Sequence, residues 1–304
     1  MRFLTWLLSI CLAASFAEAA LRGPLLLDAA VSGYAIVTVG ERGLIQRSAD
    51  GGTTWDQVES GVPRTLCAVS FADERTGWAA GHGALILRTS DGGKSWQHQF
   101  TGEDDESPFL DILALSGGHV IAGGAFGMYY ESRDDGATWE QRWILDEDVH
   151  FNRITQARNG TLWLAGEFGT LLKSTDQAKT WETLSTGEDG SLYGVLPLTN
   201  GDLLAYGLRG RIYHSSDDGE TWTRSETPGT GLLMTGIELS SANTILVAGQ
   251  GRTMWTSRDN GRTFTTSGGN TPAIAEFLLS PGGQLLAIGE MGAAPAQPYS
   301  PLLQ

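Results

Sequence analysis

The chain has 304 residues, a formal net charge of −15 at pH 7, and 41 glycines spread along its length. A chain of this size can bury a large core, and all-β folds of such length often form a single domain. The acidic balance argues against non-specific binding to nucleic acid or to anionic lipid, because both require a basic surface.

The N-terminus has the pattern of a secretory signal peptide. Arg2 precedes a mostly apolar stretch at residues 3–16, and residues 17–19, Ala-Glu-Ala, form a small-x-small cleavage site. We therefore predict cleavage after Ala19, giving a periplasmic or otherwise exported protein that does not insert into a membrane. Cys67 is then the only cysteine, so no internal disulfide is predicted.

Six segments of the chain share one motif and recur at a nearly constant interval. Each begins with Ser or Thr, carries an aspartate two positions later, and ends with Trp or Phe five positions after the aspartate. Successive aspartates are separated by 41, 43, 42, 41 and 42 residues, and a glycine stands ten positions before each. The aspartate and aromatic pairs are Asp50 and Trp55, Asp91 and Trp96, Asp134 and Trp139, Asp176 and Trp181, Asp217 and Trp222, and Asp259 and Phe264.

Each position of the motif has a physical role in a tight turn. The aspartate carboxylate can accept backbone N–H bonds from the residues that follow it, and the glycine two positions later suits a left-handed backbone. The aromatic side chain adds a large apolar area. We therefore predict structural turns rather than catalytic carboxylates, and a distorted turn where Ala178 replaces the glycine.

Short strand-like runs fill the interval between these turns. In the second unit they are Leu66–Phe71, 77–80, Leu85–Thr89 and 96–100, which we designate strands A to D. Four strands in a period of about 42 residues predict an all-β fold, a seven-bladed β-propeller of four-stranded antiparallel blades. The predicted repeat units are approximately 25–60, 61–101, 102–144, 145–186, 187–227, 228–269 and 270–292.

The seventh unit is degenerate. Residues 273–279 and 284–288 have the pattern of strands A and B, but the aspartate motif is absent and a Pro- and Ala-rich tail follows at 293–304. We predict that N-terminal residues 21–25 complete this blade and close the ring.

The second unit carries a finer pattern. It contains Phe-Ala-Asp at 71–73, Thr-Gly-Trp-Ala-Ala-Gly at 76–81, Leu-Ile at 85–86 and Ser-Asp-Gly-Gly-Lys-Ser-Trp at 90–96. These residues resemble the Asp-box (BNR) repeats of sialidase-like propellers, and they are similar to those of the photosystem II stability/assembly factor family. The resemblance covers almost all of the chain after residue 19.

This resemblance implies a non-enzymatic role. Plant and cyanobacterial members of that family are lumenal assembly chaperones for photosystem II, with a basic ligand surface from which this acidic chain departs. We accordingly predict a monomeric scaffold without a cofactor, whose protein partner belongs to a membrane or envelope complex. No metal site is predicted, because the five histidines show no metal-ligand spacing.

A sialidase-like glycoside hydrolase acting on exported or extracellular glycans is the alternative function. Such enzymes use two carboxylates about 5–10 Å apart, and Glu41, Glu167 and Glu290 occupy equivalent turns between strands B and C. The Arg-Ile-Pro motif typical of sialidases is not found near the N-terminus, and Arg153 begins only an Arg-Ile-Thr echo of it in an ordinary strand A. The aspartate turns lie between strands C and D, on the face opposite such active sites.

The B–C turns and D–A loops form the other face, which we call the upper face. Acidic runs on three consecutive D–A loops predict one negative sector, with two phenylalanines on the B–C turns between them and arginines elsewhere. We hypothesise a partner-binding face with an aromatic centre and divided charge; ordinary solvated loops are the alternative. The residues are Arg42, Arg64, Phe126, Phe168, Arg209, Arg252, Glu103, Asp104, Asp105, Glu106, Asp146, Glu147, Asp148, Glu188 and Asp189.

Overall fold

Each repeat unit forms one small antiparallel sheet whose strands follow one another in chain order. The first strand of every sheet contacts the first strand of the next sheet, and the first and last sheets also touch, so the seven sheets close a ring. The fold prediction is thus confirmed, since the computed structural model is an all-β seven-bladed propeller. It describes residues 23–239, 243–267 and 271–296, and the predicted signal peptide at 1–19 lies outside them.

The first four blades contain four strands each. Blade 1 consists of β1 (Leu26–Ser32), β2 (Ala35–Gly40), β3 (Ile45–Ser48) and β4 (Asp56–Val58). Blade 2 consists of β5 (Leu66–Phe71), β6 (Gly77–Gly81), β7 (Leu85–Thr89) and β8 (Gln97–Thr101). Blade 3 consists of β9 (Phe109–Ala114), β10 (Val120–Gly124), β11 (Tyr129–Ser132) and β12 (Glu140–Gln141). Blade 4 consists of β13 (Phe151–Gln156), β14 (Leu162–Gly166), β15 (Leu171–Ser174) and β16 (Glu182–Leu184).

The remaining three blades complete the ring. Blade 5 consists of β17 (Leu192–Pro197), β18 (Leu203–Gly207), β19 (Ile212–Ser215) and β20 (Thr223–Arg224). Blade 6 consists of β21 (Leu233–Leu239), β22 (Thr244–Gly249), β23 (Met254–Ser257) and β24 (Thr265–Thr266). Blade 7 consists of β25 (Ile274–Leu279), β26 (Leu285–Gly289) and β27 (Gly292–Pro295). Short 3-10 turns occur at Glu41–Gly43 and Leu208–Gly210.

The second strand of blades 1 to 6 is buried along its whole length. Both faces of such a strand pack against neighbouring blades, which explains its continuous apolar sequence. One core cluster, for example, joins Val37 of blade 1 to Val69 and Leu87 of blade 2. Burial of each such side chain contributes about 1.5–3 kcal/mol. The core is therefore a series of clusters between blades rather than one central cluster.

The six aspartates lie in the turns between strands C and D, on the lower face. In blade 5, the Ser215 hydroxyl donates to Asp217 Oδ1 (2.8 Å), which also accepts the Thr221 N–H (2.9 Å). The Gly219 N–H donates to the Ser215 hydroxyl at 2.9 Å. Hydrogen bonds from the hydroxyl and N–H of Thr221, and then from Ser215, lower the pKa of Asp217 to about 2, because they favour the ionised carboxylate.

The turn that lacks the glycine keeps the same geometry, so the predicted distortion at Ala178 is wrong. The Ala178 N–H donates to the Ser174 hydroxyl at 2.9 Å, and Asp176 accepts the Thr180 N–H at 3.0 Å. Ala178 has a φ of 62° and is fully buried in the core cluster that contains Tyr129. A left-handed backbone costs a non-glycine residue about 1–2 kcal/mol, and burial of the small methyl group offsets part of that cost.

The aspartate turns also join successive blades. The Arg47 Nε–H donates to Gly92 O at 2.8 Å, which connects blade 1 to the turn of blade 2. The Lys173 ammonium donates to Asp218 O at 2.8 Å, which connects blade 4 to the turn of blade 5. The turns of blades 2 and 5 therefore stabilise both their own blades and the contacts with the preceding blades.

The glycine of the blade 5 turn permits close contact with blade 4. A Cβ added to Gly219, whose φ is +86°, would lie 2.6 Å from the Trp163 ring. We expect Gly219→Ala to lower the free energy of unfolding by about 2–4 kcal/mol, because backbone strain and overpacking add. Urea unfolding followed by tryptophan fluorescence measures this loss.

A matched control for this prediction is Gly160→Ala, in the turn between β13 and β14. Gly160 has a φ of +89°, but nothing lies within 4 Å of an added Cβ. Gly160→Ala should therefore lower the free energy of unfolding only by the cost of backbone strain, about 1 kcal/mol. Equal losses in the two variants would contradict a specific contact between the turn of blade 5 and Trp163.

Blade 7 has three strands among the described residues, and β27 forms its outer edge. The described part of the predicted closing segment, residues 23–25, forms no strand, while residues 21 and 22 lie outside the described part of the chain. Gly23 instead packs beside blade 7, where an added Cβ would lie 2.5 Å from the backbone of Met291. The described N-terminal residues therefore contact the last blade without adding a strand to it.

Candidate functional site

Charged side chains from non-adjacent blades meet at the centre of the propeller. The first strand of every blade carries a bulge at the same position, so the residue after it has the same register in all seven blades. Arg153 in blade 4 donates to Glu276 in blade 7 at 2.8 Å. Because these blades are not neighbours, the ion pair crosses the central axis. The residues of this register are Asp28, Ala68, Asp111, Arg153, Gly194, Thr235 and Glu276.

Two aspartates of this register connect neighbouring first strands. Asp28 Oδ2 accepts the Val69 N–H at 2.8 Å. Asp111 Oδ2 accepts the Ile154 N–H at 2.6 Å. Burial raises the pKa of Asp28 to about 8 and that of Asp111 to about 6, because the charged forms lose their hydration, although the positive charge of Arg153 opposes both shifts. We call Asp28, Asp111, Arg153 and Glu276 the axial cluster.

Sequence reasoning misses the axial cluster and assigns Arg153 to an ordinary strand. Alignment of the repeats could have revealed this cluster, because four of the seven residues in this register are charged, in strands that are otherwise mostly apolar. Residues that share a register in every blade of a propeller lie at a similar distance from its axis. Their charges can therefore meet although they are distant in sequence.

The B–C turns of the upper face project large side chains from a left-handed backbone. Arg42, Phe126, Phe168 and Arg209 occupy equivalent positions, with φ values of 55°, 54°, 52° and 57°. All four are exposed, Phe126 by 58% and Phe168 by 74%. A bulky residue in this conformation costs about 1–3 kcal/mol, and such strain at an exposed position marks these turns as candidates for binding.

Backbone hydrogen bonds hold each phenylalanine turn between two D–A loops. Ala125 donates to the loop before β9 at 3.0 Å, and Gly127 donates to the loop between β12 and β13 at 2.7 Å. The two residues that flank Phe168 donate to the loop before β13 and to the loop after β16, both at 3.0 Å. Phe126 and Phe168 therefore lie on either side of the loop that joins blades 3 and 4.

Two of the predicted acidic runs are fully exposed on these loops. Residues 103–106 precede β9 and residues 146–148 precede β13. The third run differs, because Glu188 is buried and accepts hydrogen bonds from Arg211 and, at 2.8 Å, from the Tyr213 hydroxyl. Burial alone would raise the pKa of Glu188, but these hydrogen bonds lower it to about 2. Only Asp189 of this run faces solvent.

The predicted arginines lie in two environments. Arg42, Arg209 and Arg252 are exposed on blades 1, 5 and 6. Arg64 lies at the border of the acidic loops, where its guanidinium donates to Gly83 O and to Asp105 O, both at 3.4 Å. The upper face thus has a basic side and an aromatic and acidic side.

Two of the three glutamates considered for glycoside hydrolysis bond to their own blades. Glu167 accepts the His150 N–H at 3.3 Å, and Glu290 accepts the Ala273 N–H at 3.5 Å. Each bond joins a B–C turn to the residue that precedes the first strand of the same blade. These contacts give Glu167 and Glu290 a structural role in the upper face.

A groove of about 660 Å³ runs between the Phe168 turn and the loop that joins blades 3 and 4. Trp143, at the start of that loop, is 69% exposed. The sequence analysis does not predict a role for Trp143. Its place in a loop beside two aromatic turns could have identified it as a candidate binding residue. The lining residues on which the following sections depend are Leu145, Glu147, Asp148, Val149, Phe168 and Leu184.

Among residues 23–239, 243–267 and 271–296, no helix has the length and apolarity needed to cross a membrane. In the same ranges, no three His, Cys, Asp or Glu side chains are grouped so as to hold a metal ion. The carboxyl groups of the axial cluster are instead arranged around the guanidinium of Arg153.

Several solved structures share this fold. One is described as YCF48 bound to D1 peptide, with a TM-score of 0.72, 20% identity, and coverage of 90% of this chain and 92% of that chain. YCF48 from Cyanidioschyzon merolae gives a TM-score of 0.71, 16% identity, and coverage of 90% and 94%. The WD40 β-propeller domain of Doa1 gives 0.68, 13% identity, and coverage of 92% and 95%. At these identities the likeness shows the fold alone.

Sequence comparison is more specific than this likeness of fold. No curated protein sequence matches the chain. The profile of the family described as Photosynthesis system II assembly factor YCF48 matches residues 26–103 and 103–235, which is more than half of the chain. The chain therefore belongs to the Photosynthesis system II assembly factor YCF48 family.

Proposed function

We propose that this chain is an exported, non-catalytic assembly factor that binds a protein subunit of a membrane or envelope complex. Membership of the YCF48 family carries the proposal, because the profile match spans blades 1 to 5. One YCF48 is described as bound to a D1 peptide, so a propeller with this fold can accept a polypeptide. The net charge of −15 favours a protein partner over nucleic acid.

The upper face is the surface that best suits such binding. Its B–C turns expose phenylalanine and arginine from strained backbone, whereas the side chains of the lower-face turns form hydrogen bonds within the turns themselves. Exposed aromatic and arginine side chains are enriched at the energetic centres of protein interfaces. We infer that a monomer of this chain presents the upper face to its partner.

Affinity capture from crosslinked cells tests this function. A tagged chain is expected to enrich subunits of one membrane or envelope complex, and a strain that lacks the chain should accumulate less of that complex at unchanged transcript levels. A tagged Tyr34→Ala chain serves as a control and should capture the same subunits, because Tyr34 is 85% exposed on the lower face, away from the proposed binding surface. Capture of no membrane or envelope subunit above an untagged strain would contradict the proposal.

A further inference from the structure

Three exposed aromatic side chains are concentrated on blades 3 and 4. Phe126, Trp143 and Phe168 are 58%, 69% and 74% exposed, and we call them the aromatic patch. The only other aromatic residue exposed to this degree in the described part of the chain is Tyr34, on the lower face. Trp143 adjoins the Phe126 turn, since its ring would lie 3.9 Å from a Cβ added to Gly127. The patch is therefore one local feature of the upper face.

The groove beside Phe168 offers room for a large apolar side chain. Leu145, Val149 and Leu184 contribute to its lining. The groove volume of about 660 Å³ lies within the range of sites that bind small-molecule ligands. The half-buried leucines and the buried valine leave an apolar lining that remains accessible from the upper face. If an aromatic or large aliphatic side chain of a partner bound in this groove, it would bury both the apolar lining and the ring of Phe168.

Seven exposed carboxylates lie beside the aromatic patch, and the Arg64 guanidinium at their border donates to backbone oxygens rather than to a carboxylate. Residues 103–106 lie beside the Phe126 turn and residues 146–148 lie between the two phenylalanine turns, and all seven carboxylates are exposed. None of the ion pairs between described residues includes any of them. Glu147 and Asp148 also border the groove itself. A ligand that brings Lys or Arg to these loops would be attracted, and an acidic ligand would be repelled.

From this combination we propose that blades 3 and 4 bind an extended, basic segment of a partner protein, in which an aromatic or large aliphatic residue is flanked by Lys or Arg. The apolar residue enters the groove beside Phe168, and the cationic residues contact the loops at 103–106 and 146–148. This inference rests on the proposed function and specifies the chemistry of its partner. The arginines on blades 1, 5 and 6 lie outside the proposed site.

Fluorescence anisotropy with defined peptides tests the inference. The probe is a ten-residue fluorescein-labelled peptide in which Phe and Trp are each flanked by Lys or Arg; one counterpart has Glu for every cation, and another has Ala for both aromatics. The purified protein should bind the probe at least about tenfold more tightly than either counterpart. Raising NaCl from about 50 to 300 mM should weaken this binding, because salt screens exposed charges.

Variants of the aromatic patch and of the loop at residues 146–148 identify the site. Phe168→Asn is expected to weaken binding of the probe about tenfold, and asparagine tolerates the left-handed backbone at this position. The combined change Asp146→Asn, Glu147→Gln and Asp148→Asn should weaken binding and reduce its salt dependence. Tyr34→Ala, at an exposed residue of the lower face, is the matched control, and it should bind the probe as the unaltered protein does.

The outcomes separate this inference from the proposed function. Equal binding of the basic and acidic peptides, or unchanged binding by Phe168→Asn, would overturn the inference even if the chain still captures a membrane complex. Conversely, selective binding of the basic aromatic peptide that is lost in Phe168→Asn supports the site even if capture identifies no membrane complex. In that second case only the proposed function would fall.

Discussion

Replacing Arg153 with leucine is expected to lower the free energy of unfolding by about 3 kcal/mol. Arg153 supplies the positive charge of the axial cluster, and its loss leaves Glu276 and two aspartates at the axis without a cationic partner. A carboxylate that has lost its hydration is costly when no charge or hydrogen bond replaces it. Urea unfolding followed by tryptophan fluorescence measures the loss as a lower midpoint.

A double variant separates the ion pair from a general loss of packing. Arg153→Leu combined with Glu276→Leu removes both charges, and replacement of a buried ion pair by apolar residues is often neutral or stabilising. We therefore expect the double variant to recover most of the loss. Arg209→Leu, at an exposed position, should change stability by less than about 0.5 kcal/mol. An unchanged midpoint for Arg153→Leu alone would show that the ion pair does not contribute to closure of the ring.

Replacing Asp28 with asparagine is expected to make the stability of the propeller less dependent on pH between about pH 4 and 8. The folded-state pKa of Asp28 is about 8, against an ordinary value of 3.8, so the folded protein keeps a proton that the unfolded chain releases. The stability of the unaltered protein therefore falls as pH rises through this window, by up to about 1.4 kcal/mol per pH unit. Asparagine stays neutral and keeps an acceptor for the Val69 N–H, so the variant gains relative stability with rising pH.

Thermal unfolding of both proteins between pH 4 and 9 measures this difference. Asp111→Asn is a matched control. Its stability should differ in pH dependence from that of the unaltered protein only between about pH 4 and 6, because the folded-state pKa of Asp111 is about 6. Below pH 4 the aspartate turns have the opposite effect. Carboxylates such as Asp50, with a pKa of about 2, lose their hydrogen-bonded charge as pH falls, so all variants lose stability together. Parallel pH profiles above pH 4 would contradict a protonated Asp28.

The repeat made the propeller predictable, because its turns are built from local interactions. In every copy the aspartate bonds to residues within four positions of itself, as Asp217 does with Ser215 and Thr221. The motif therefore indicates the same turn wherever it occurs. The wrong prediction at Ala178 has a tertiary cause, since the packing of its methyl group against blade 3 compensates for the missing glycine.

The candidate site was only partly predictable. Alignment of the repeats placed Phe126 and Phe168 on matching turns, and the structure exposes both at positive φ. Exposure of the acidic residues could not be read from their charge, because Glu188 is buried by its bonds to Arg211 and Tyr213 while Glu147 remains in solvent. Trp143 was missed because it belongs to no repeated position. The groove was missed because three separate chain segments, at residues 145–149, 168–170 and 183–188, line it.

The sequence by itself determined the class of fold, the number of blades and the position of the turns, because each depends on contacts between residues close in the chain. Only the tertiary structure decided which charges meet at the axis. Arg153 and Glu276 are 123 residues apart, and they pair because closure of the ring brings blades 4 and 7 to opposite sides of one narrow centre. Burial there raises the pKa of Asp28, a shift that depends on desolvation by the assembled ring rather than on its sequence neighbours.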